Sequence, residues 1–538
     1  MFKLTYNSAT VEKIVEALRS FRFRFSAAQT VKVAFRIVII ICAFIFGASL
    51  YYRTTNLWTL KNLGDRFISK SIGRRPIVIG AFHRPKSEQN VAGSFAVIQF
   101  LGNTKEVYEL YCHSVDAQGR RLTTTAQIES ITKAKRAAND VCSWGGFLAE
   151  CQISSPFTNL IQLTTNSNPE NPDELIDINI EPPVYLKQKH KLVVCVAPMY
   201  IYTEWQIMLT GIETWLALGA TKLIFPIQSA STNVLEILKQ YEAKGIVIIR
   251  SWPKWPVFSD TNPNGLILSR GIEESHVNCL HFAKPFAELI AFTDIDDMLI
   301  PPDPLKIYPT ANIDLLESLF REHPQAGSFL FEHRDVQFVL PEVDPENNSL
   351  QNFNFQFLHK TQWKQSCKVW RMKTRVVVNA SRVDTVNMHE TGDTRQVRVP
   401  CRQAHFYHLR HSYKNVGMNE WRVDMNLLAS NLDRRWKKQL ENVFPTIANQ
   451  TLTRSNTESF EDFDRCVMLI TEGMTPHVCF SRVVRNISCV ANLGEYEFAH
   501  SSNGDFIIVL RQSKLVNSET NCEAPMPTYI KGNHFYLP

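Results

Sequence analysis

The 538-residue chain has no C-x-x-C pair, no G-x-G-x-x-G after its first apolar strand, no Walker A sequence and no G-x-S-x-G elbow. Each absence closes a route. Without C-x-x-C, the twelve cysteines build neither a zinc ribbon nor a thioredoxin-like redox site. Without the glycine fingerprint the classical dinucleotide site is missing, and without Walker A there is no P-loop cradle for phosphates. Without the elbow, a Ser-His-Asp reading has no G-x-S-x-G to support it. Charge of one sign is scarce too. Lys and Arg number 58 against 52 Asp and Glu, a net +6 with no dense basic stripe interleaved with aromatics, so nucleic acid is not an expected partner. A mean hydropathy of -0.16 excludes a multi-span membrane protein. With 44% hydrophobic and 20% charged residues, most of the chain is expected to fold, and its length exceeds one typical domain.

Long apolar runs are limited to one. Ile37 to Tyr52 reads IVIIICAFIFGASLYY, and Val33, Ala34 and Phe35 extend it past Arg36. With that arginine snorkelling, the segment is long enough to cross a bilayer as a signal anchor. The preceding 32 residues are too many for the n-region of a cleaved signal peptide. Sequons at Asn347, Asn379 and Asn486 fall in the large C-terminal part and favour a short cytosolic tail with a luminal body. Single-pass type II insertion with the body in the lumen is therefore the expectation. Eleven cysteines lie outside the anchor, and disulfides among them suit an oxidising lumen, with pairing that sequence cannot assign.

The expected organisation is a tail at 1–32, an anchor at 33–52, a polar and basic stem at 53–90 and an accessory β-rich region at 91–185. A catalytic domain at 186–440 and a C-terminal extension at 441–538 follow. Between 191 and 293 the pattern alternates. LVVCVA from Leu192 suits a buried strand. Thr203 is placed to cap a helix with Trp205, Leu209, Ile212 and Leu216 on one face. KLIFPI is the next strand, and Val234, Ile237, Leu238 and Tyr241 mark a second helix. Ile246 to Ile249 is a strand, 270–290 a third helix, and Leu289 to Thr293 a strand. Short connections of this kind predict an α/β fold with a mixed, mostly parallel sheet flanked by helices. Ligands in such sheets sit at the carboxyl ends of strands.

Asp294, Asp296 and Asp297 follow directly on that last strand. Three carboxylates there need a counter-ion, solvent or basic partners. A hard divalent cation prefers oxygen ligands and bridges the phosphates of a nucleotide sugar. A lone D-x-D also occurs in salt-bridged surface turns, so its position after the alternating half is what gives it weight.

The stretch from about Lys191 to Tyr413 resembles the catalytic domain of the family 92 glycosyltransferases. The resembling segments are VVCVAPMYIYTEW at Val193–Trp205, GATKLIFPIQSASTNV at Gly219–Val234, Val277–Leu280, Ala291–Asp297, His389 and Ala404–Arg410. The resemblance implies a GT-A type fold, a UDP-sugar donor (UDP-galactose), a divalent metal (Mn2+) and inverting transfer to a glycan or glycoprotein acceptor in the Golgi. It makes Asp294 and Asp296 the D-x-D pair, with Asp297 standing where Glu is expected.

Other roles are assigned by chemistry. Inversion needs a carboxylate base on the acceptor side, and Glu332, at the end of an apolar strand, is the first candidate with Asp384 second. The resemblance to GT-A enzymes also implies a C-terminal histidine that completes the metal shell beside Asp296, at His389 or His408. Lys368, Arg371 and Lys373 are candidate diphosphate contacts. Trp252 and Trp255, in a proline-stiffened loop, are candidates to stack on sugar or to plug the core. Two other readings stay open: a glycan-binding protein on an inactive transferase fold, and a metal-dependent luminal hydrolase.

Overall fold

The computed structural model describes residues 75–84, 93–131, 143–169, 174–258, 261–301, 307–338, 347–363, 374–386, 391, 395–411, 425–452, 487–501, 504–510, 514–518 and 522–532. Its centre is a ten-stranded mixed sheet. We number its strands β1 (His190–Val196), β2 (Lys222–Ile227), β3 (Val247–Ser251), β4 (Ala287–Thr293), β5 (Asp297–Leu299), β6 (Ser328–Phe338), β7 (Gln362–Trp363), β8 (Thr374–Asn379), β9 (Gln396–Arg398) and β10 (Phe406–His411). The spatial order is β3-β2-β1-β4-β8-β6-β10-β5, with β7 and β9 pairing with β6. β3, β2, β1 and β4 run parallel. β8 then inserts antiparallel between β4 and β6.

The helices follow the expected periodicity. α1 (Trp205–Ala217) and α2 (Thr232–Ala243) connect the parallel strands. α3 (Ile272–Ala283), α4 (Ala311–Glu322) and α5 (Asn426–Asn442) complete the covering. Ser231 caps α2, its hydroxyl accepting the Val234 N–H at 3.4 Å. Thr203 does not cap α1: Glu204 is the N-cap and no side chain accepts there. One sheet face packs Leu192, Val194, Leu289 and Ala291 against α1, α2, α4 and α5. The other packs Val193, Cys195, Ile290 and Phe292 against α3, where a disulfide joins Cys195 to Cys279. This two-sided burial explains the unbroken apolar strands.

A second, β-rich part draws on both ends of the chain. Its seven-stranded sheet orders strands Thr528–Gly532, Glu495–Ser501, Gly504–Val509, Ile77–Arg84, Ser94–Asn103, Trp144–Ile153 and Gln127–Ser130. A four-stranded sheet packs on it through Ile98, Phe100, Phe147, Ile161 and Leu163, and the Cys112–Cys151 disulfide links the two. The segment Cys489–Leu493 pairs with Ser229–Ser231 beyond β2, and a third disulfide joins Cys489 to Cys522.

The expectation of a membrane-spanning helix is withdrawn. Among the described residues no helix is long and apolar enough to cross a membrane, and 33–52 lie outside the described residues. The signal anchor, the membrane as a partner and the single-pass type II Golgi topology go with it.

Candidate functional site

The site forms where β4 ends. The parallel strands bring Thr293 beside Val196, and the chain then turns sharply, with the Asp297 N–H donating to the Asp294 carbonyl at 3.1 Å. The turn starts β5, whose Asp297 pairs in register with His408 on β10. The backbone is tied from both sides: the Leu409 N–H donates to the Asp296 carbonyl at 2.8 Å, and the Trp215 indole donates to the Asp297 carbonyl at 3.1 Å. The loop lies against α1 at Gly211, where a Cβ would collide with the Ile295 carbonyl.

Arg375 enters from the start of β8, which runs beside β4 with Val376 opposite Phe292. Its guanidinium is 6% exposed and spans two carboxylates, Nε donating to Asp297 and Nη2 to Asp294, while Nη1 donates to the Thr374 carbonyl at 3.0 Å. His408 Nδ1 lies 2.5 Å from Asp297 Oδ1 and 3.5 Å from Asp296 Oδ2. Side-chain exposure is graded: 36% for Asp294, 28% for Asp296 and 0% for Asp297.

The electrostatics follow. Burial pushes the Asp296 carboxyl up to about 6, helped by Asp297 and Asp294 and opposed by His408 and Arg375. Burial works against the charge of Arg375, but the three carboxylates outweigh it and hold the guanidinium more firmly protonated. Tyr202, in the loop after β1, is raised well above its ordinary value, by burial first and then by the charges of Asp296, Glu204 and Asp294. Its phenol therefore keeps its proton beside the cluster. Three carboxylates face one guanidinium and one imidazole, so the cluster keeps a net negative charge when all three are ionised. Ligand atoms of Asp296, Asp297 and His408 lie within 4.8 Å of one another. Such oxygen and imidazole donors are of the kind that hold a divalent metal ion.

The structure thus brings together Asp294, Asp296, Asp297 and His408. It adds Arg375 and Tyr202, which the sequence reading passed over. Arg375 had a signal, a lone charge opening the apolar run Val376–Val378, since a buried charge must find partners. Tyr202 had none. His389, Lys368, Arg371, Lys373 and Asn486 lie outside the described residues.

Three further sets of candidates have placements of their own. Glu332 is buried and binds Arg398 at 2.7 Å; opposite Thr374 in register, it projects on the sheet face away from Arg375 rather than at a cleft edge. Asp384 lies toward the other end of β4 and β8, after Asn379, and is held by Lys284 and by Arg84 at 2.9 Å. Burial would raise its carboxyl, but Lys284 and Arg84 draw it down to about 2. Trp252 and Trp255 pack edge to face at 5.1 Å, inside a buried cluster with Ile77, Trp144 and Phe258, so they offer no ring to a sugar. Among the sequons, Asn347 is exposed, and Asn379 accepts the Ser381 N–H at 3.0 Å.

The comparison that decides kinship is with Glycosyltransferase family 92, whose pattern matches residues 190–459, half of the chain. The chain belongs to glycosyltransferase family 92. The match holds β1 to β10, α1 to α5 and the acidic cluster. Relatives in Caenorhabditis elegans include glycosyltransferase family 92 protein F13G3.3, 27% identical over 34% of this chain and 34% of that protein. Protein C33H5.2 is 27% identical over 36% and 38%, and F59C6.8 is 24% identical over 59% and 58%. The chain therefore aligns with about a third of the length of the first two. Among solved structures, S. aureus TarS 1-349 aligns at a TM-score of 0.23, with 12% identity over 41% of this chain and 60% of that chain.

Proposed function

We propose that this family 92 member is a metal-dependent glycosyltransferase. It moves a sugar, galactose, from a UDP-sugar to a hydroxyl of a glycan or glycoprotein acceptor, with inversion. The observation that carries the reading is the clustering of Asp294, Asp296 and Asp297 with His408 and Arg375, at the carboxyl end of the parallel strands. Family membership supports it.

Asp296 and His408 are the residues to hold the cation. When bound, Mn2+ neutralises the charge that develops on the departing diphosphate. Asp294, the most exposed carboxylate, is suited to accept hydrogen bonds from ribose or sugar hydroxyls while Arg375 fixes its second oxygen. Tyr202, kept protonated, supplies a donor at the same end. In the transfer the acceptor oxygen bonds to the anomeric carbon as the bond to the diphosphate breaks, and the hydroxyl proton passes to a base.

The test is UDP release from UDP-galactose by the full chain with an N-glycan acceptor pool. Release should require Mn2+ and acceptor, stop with EDTA, and fall about a hundredfold or more in Asp296→Asn. A folded sample that releases UDP from none of the common UDP-sugars, yet binds glycans on an array, would establish a glycan-binding protein instead.

A further inference from the structure

The three aspartates are not equivalent, and Asp297 stands apart. It is fully buried, whereas Asp294 and Asp296 reach the surface. Its backbone is clamped at both ends, the N–H by the Asp294 carbonyl and the carbonyl by Trp215. Each carboxylate oxygen already has a cationic or imidazole donor: Oδ2 takes Arg375 Nε, and Oδ1 takes His408 Nδ1 at 2.5 Å. A carboxylate held by two charge-assisted bonds in a closed site is fixed in orientation, and neither oxygen is offered to a cation arriving from outside.

We propose that Asp297 is a positioning residue for His408 and Arg375 and not a ligand of the metal. By accepting the Nδ1 proton, Asp297 fixes the His408 tautomer in which Nε2 carries the lone pair. In a carboxylate–histidine pair the carboxylate orients the imidazole and raises the basicity of its other nitrogen, which here would be the one left for the metal. The same carboxylate anchors the guanidinium that restrains Asp294. Asp297, His408 and Arg375 then act as one unit behind the exposed carboxylates, joined across 78 and 111 residues of chain. The inference rests on the metal-binding reading above.

The test uses Mn2+ alone and the full chain, without donor or acceptor. Affinity comes from the electron paramagnetic resonance of free Mn2+, and the bound-water count comes from pulsed measurements in 17O-labelled water. Asp296→Asn should lose a protein ligand and bind Mn2+ at least tenfold more weakly. Asp297→Asn should weaken binding by about 10- to 100-fold with the bound-water count unchanged, because an orienting contact and not a ligand is lost. One additional water on the metal in Asp297→Asn, or unchanged affinity, overturns the proposal. If Asp297→Asn does not fold, Arg375→Lys carries the test, since lysine keeps the charge and loses the two-pronged hold. Weaker Mn2+ binding by this variant supports the positioning role. Unchanged or tighter binding overturns it, because the guanidinium would then have been competing with the metal for its ligands. A wild-type chain that binds no Mn2+ overturns the metal reading and this inference together, whereas wild-type binding with either contrary result overturns this inference alone.

Discussion

Gly211, in the middle of α1, lies against the carbonyl of Ile295, the residue between Asp294 and Asp296 in the acidic turn. A Cβ at position 211 would fall well inside contact distance of that oxygen, and the neighbour is backbone that cannot swing aside. The helix therefore sets the height of the turn. Gly211→Ala is expected to cost about 1–3 kcal/mol in a thermal melt through overpacking. A turn displaced by about an ångström is expected to lower turnover by about a hundredfold. A Gly211→Ala chain with wild-type stability and Mn2+ affinity would show that the contact does not position the turn.

Protons and metal are expected to compete at Asp296. Its carboxyl is pushed up to about 6 by burial and by its two acidic neighbours, so below that pH a proton must leave before a cation binds. Apparent Mn2+ affinity should fall by about tenfold per pH unit as pH drops below 6, and this contribution should level off above it. Calorimetric titrations between pH 5 and 8 check this, and a flat profile would remove Asp296 from the ligand set.

Glu274, on α3 away from the acidic turn, should make the fold weaker as pH rises. Burial lifts its carboxyl to about 8, with the charge of Glu273 adding to the effect. Because the folded value lies above the ordinary 4.5, the native state holds this proton more tightly than the unfolded chain. The stability it contributes is complete below about 4.5 and is lost as pH rises through 8. Glu274→Gln removes the titration, so its melting temperature should exceed wild type at pH 8 and match it near pH 4. The reverse order at pH 8 would contradict the buried, neutral carboxyl.

Asp384 is expected to matter for stability and not for transfer. It faces Lys284, which is 5% exposed, and Arg84. Asp384→Asn leaves that lysine buried and less well paired, a cost of about 1–3 kcal/mol once the 44% exposure of Asp384 is allowed for. Mn2+ affinity and UDP release should stay within about twofold of wild type. A loss of turnover with unchanged melting would restore Asp384 as a candidate base.

The alternation of β1, α1, β2, α2, β3, α3 and β4 was legible because each element carries its own periodicity. Val234, Ile237, Leu238 and Tyr241 all turn inward from α2, as their spacing requires. The boundaries were less legible: β4 starts at Ala287 and α3 ends at Ala283, where the sequence reading ran the helix on to 290. Phe286 and Ala287 are as apolar as the helix before them, so hydrophobicity alone does not mark the change. Trp252 and Trp255 were open between sugar platform and core plug. The choice depended on Ile77 and Trp144, which arrive from far earlier in the chain.

Sequence alone determined the strand–helix alternation between 190 and 293 and the placing of Asp294 and Asp296 at a strand end, because periodicity and strand termini are local properties. Only the tertiary structure decided that Arg375 and His408 meet at Asp297, that Asp384 is carried to the other end of the sheet, and that strands from both chain ends share one seven-stranded sheet. Those outcomes depend on the order and register of strands far apart in the chain. Backbone hydrogen bonding is nearly the same for every pairing, so the choice among them comes from packing of the whole core.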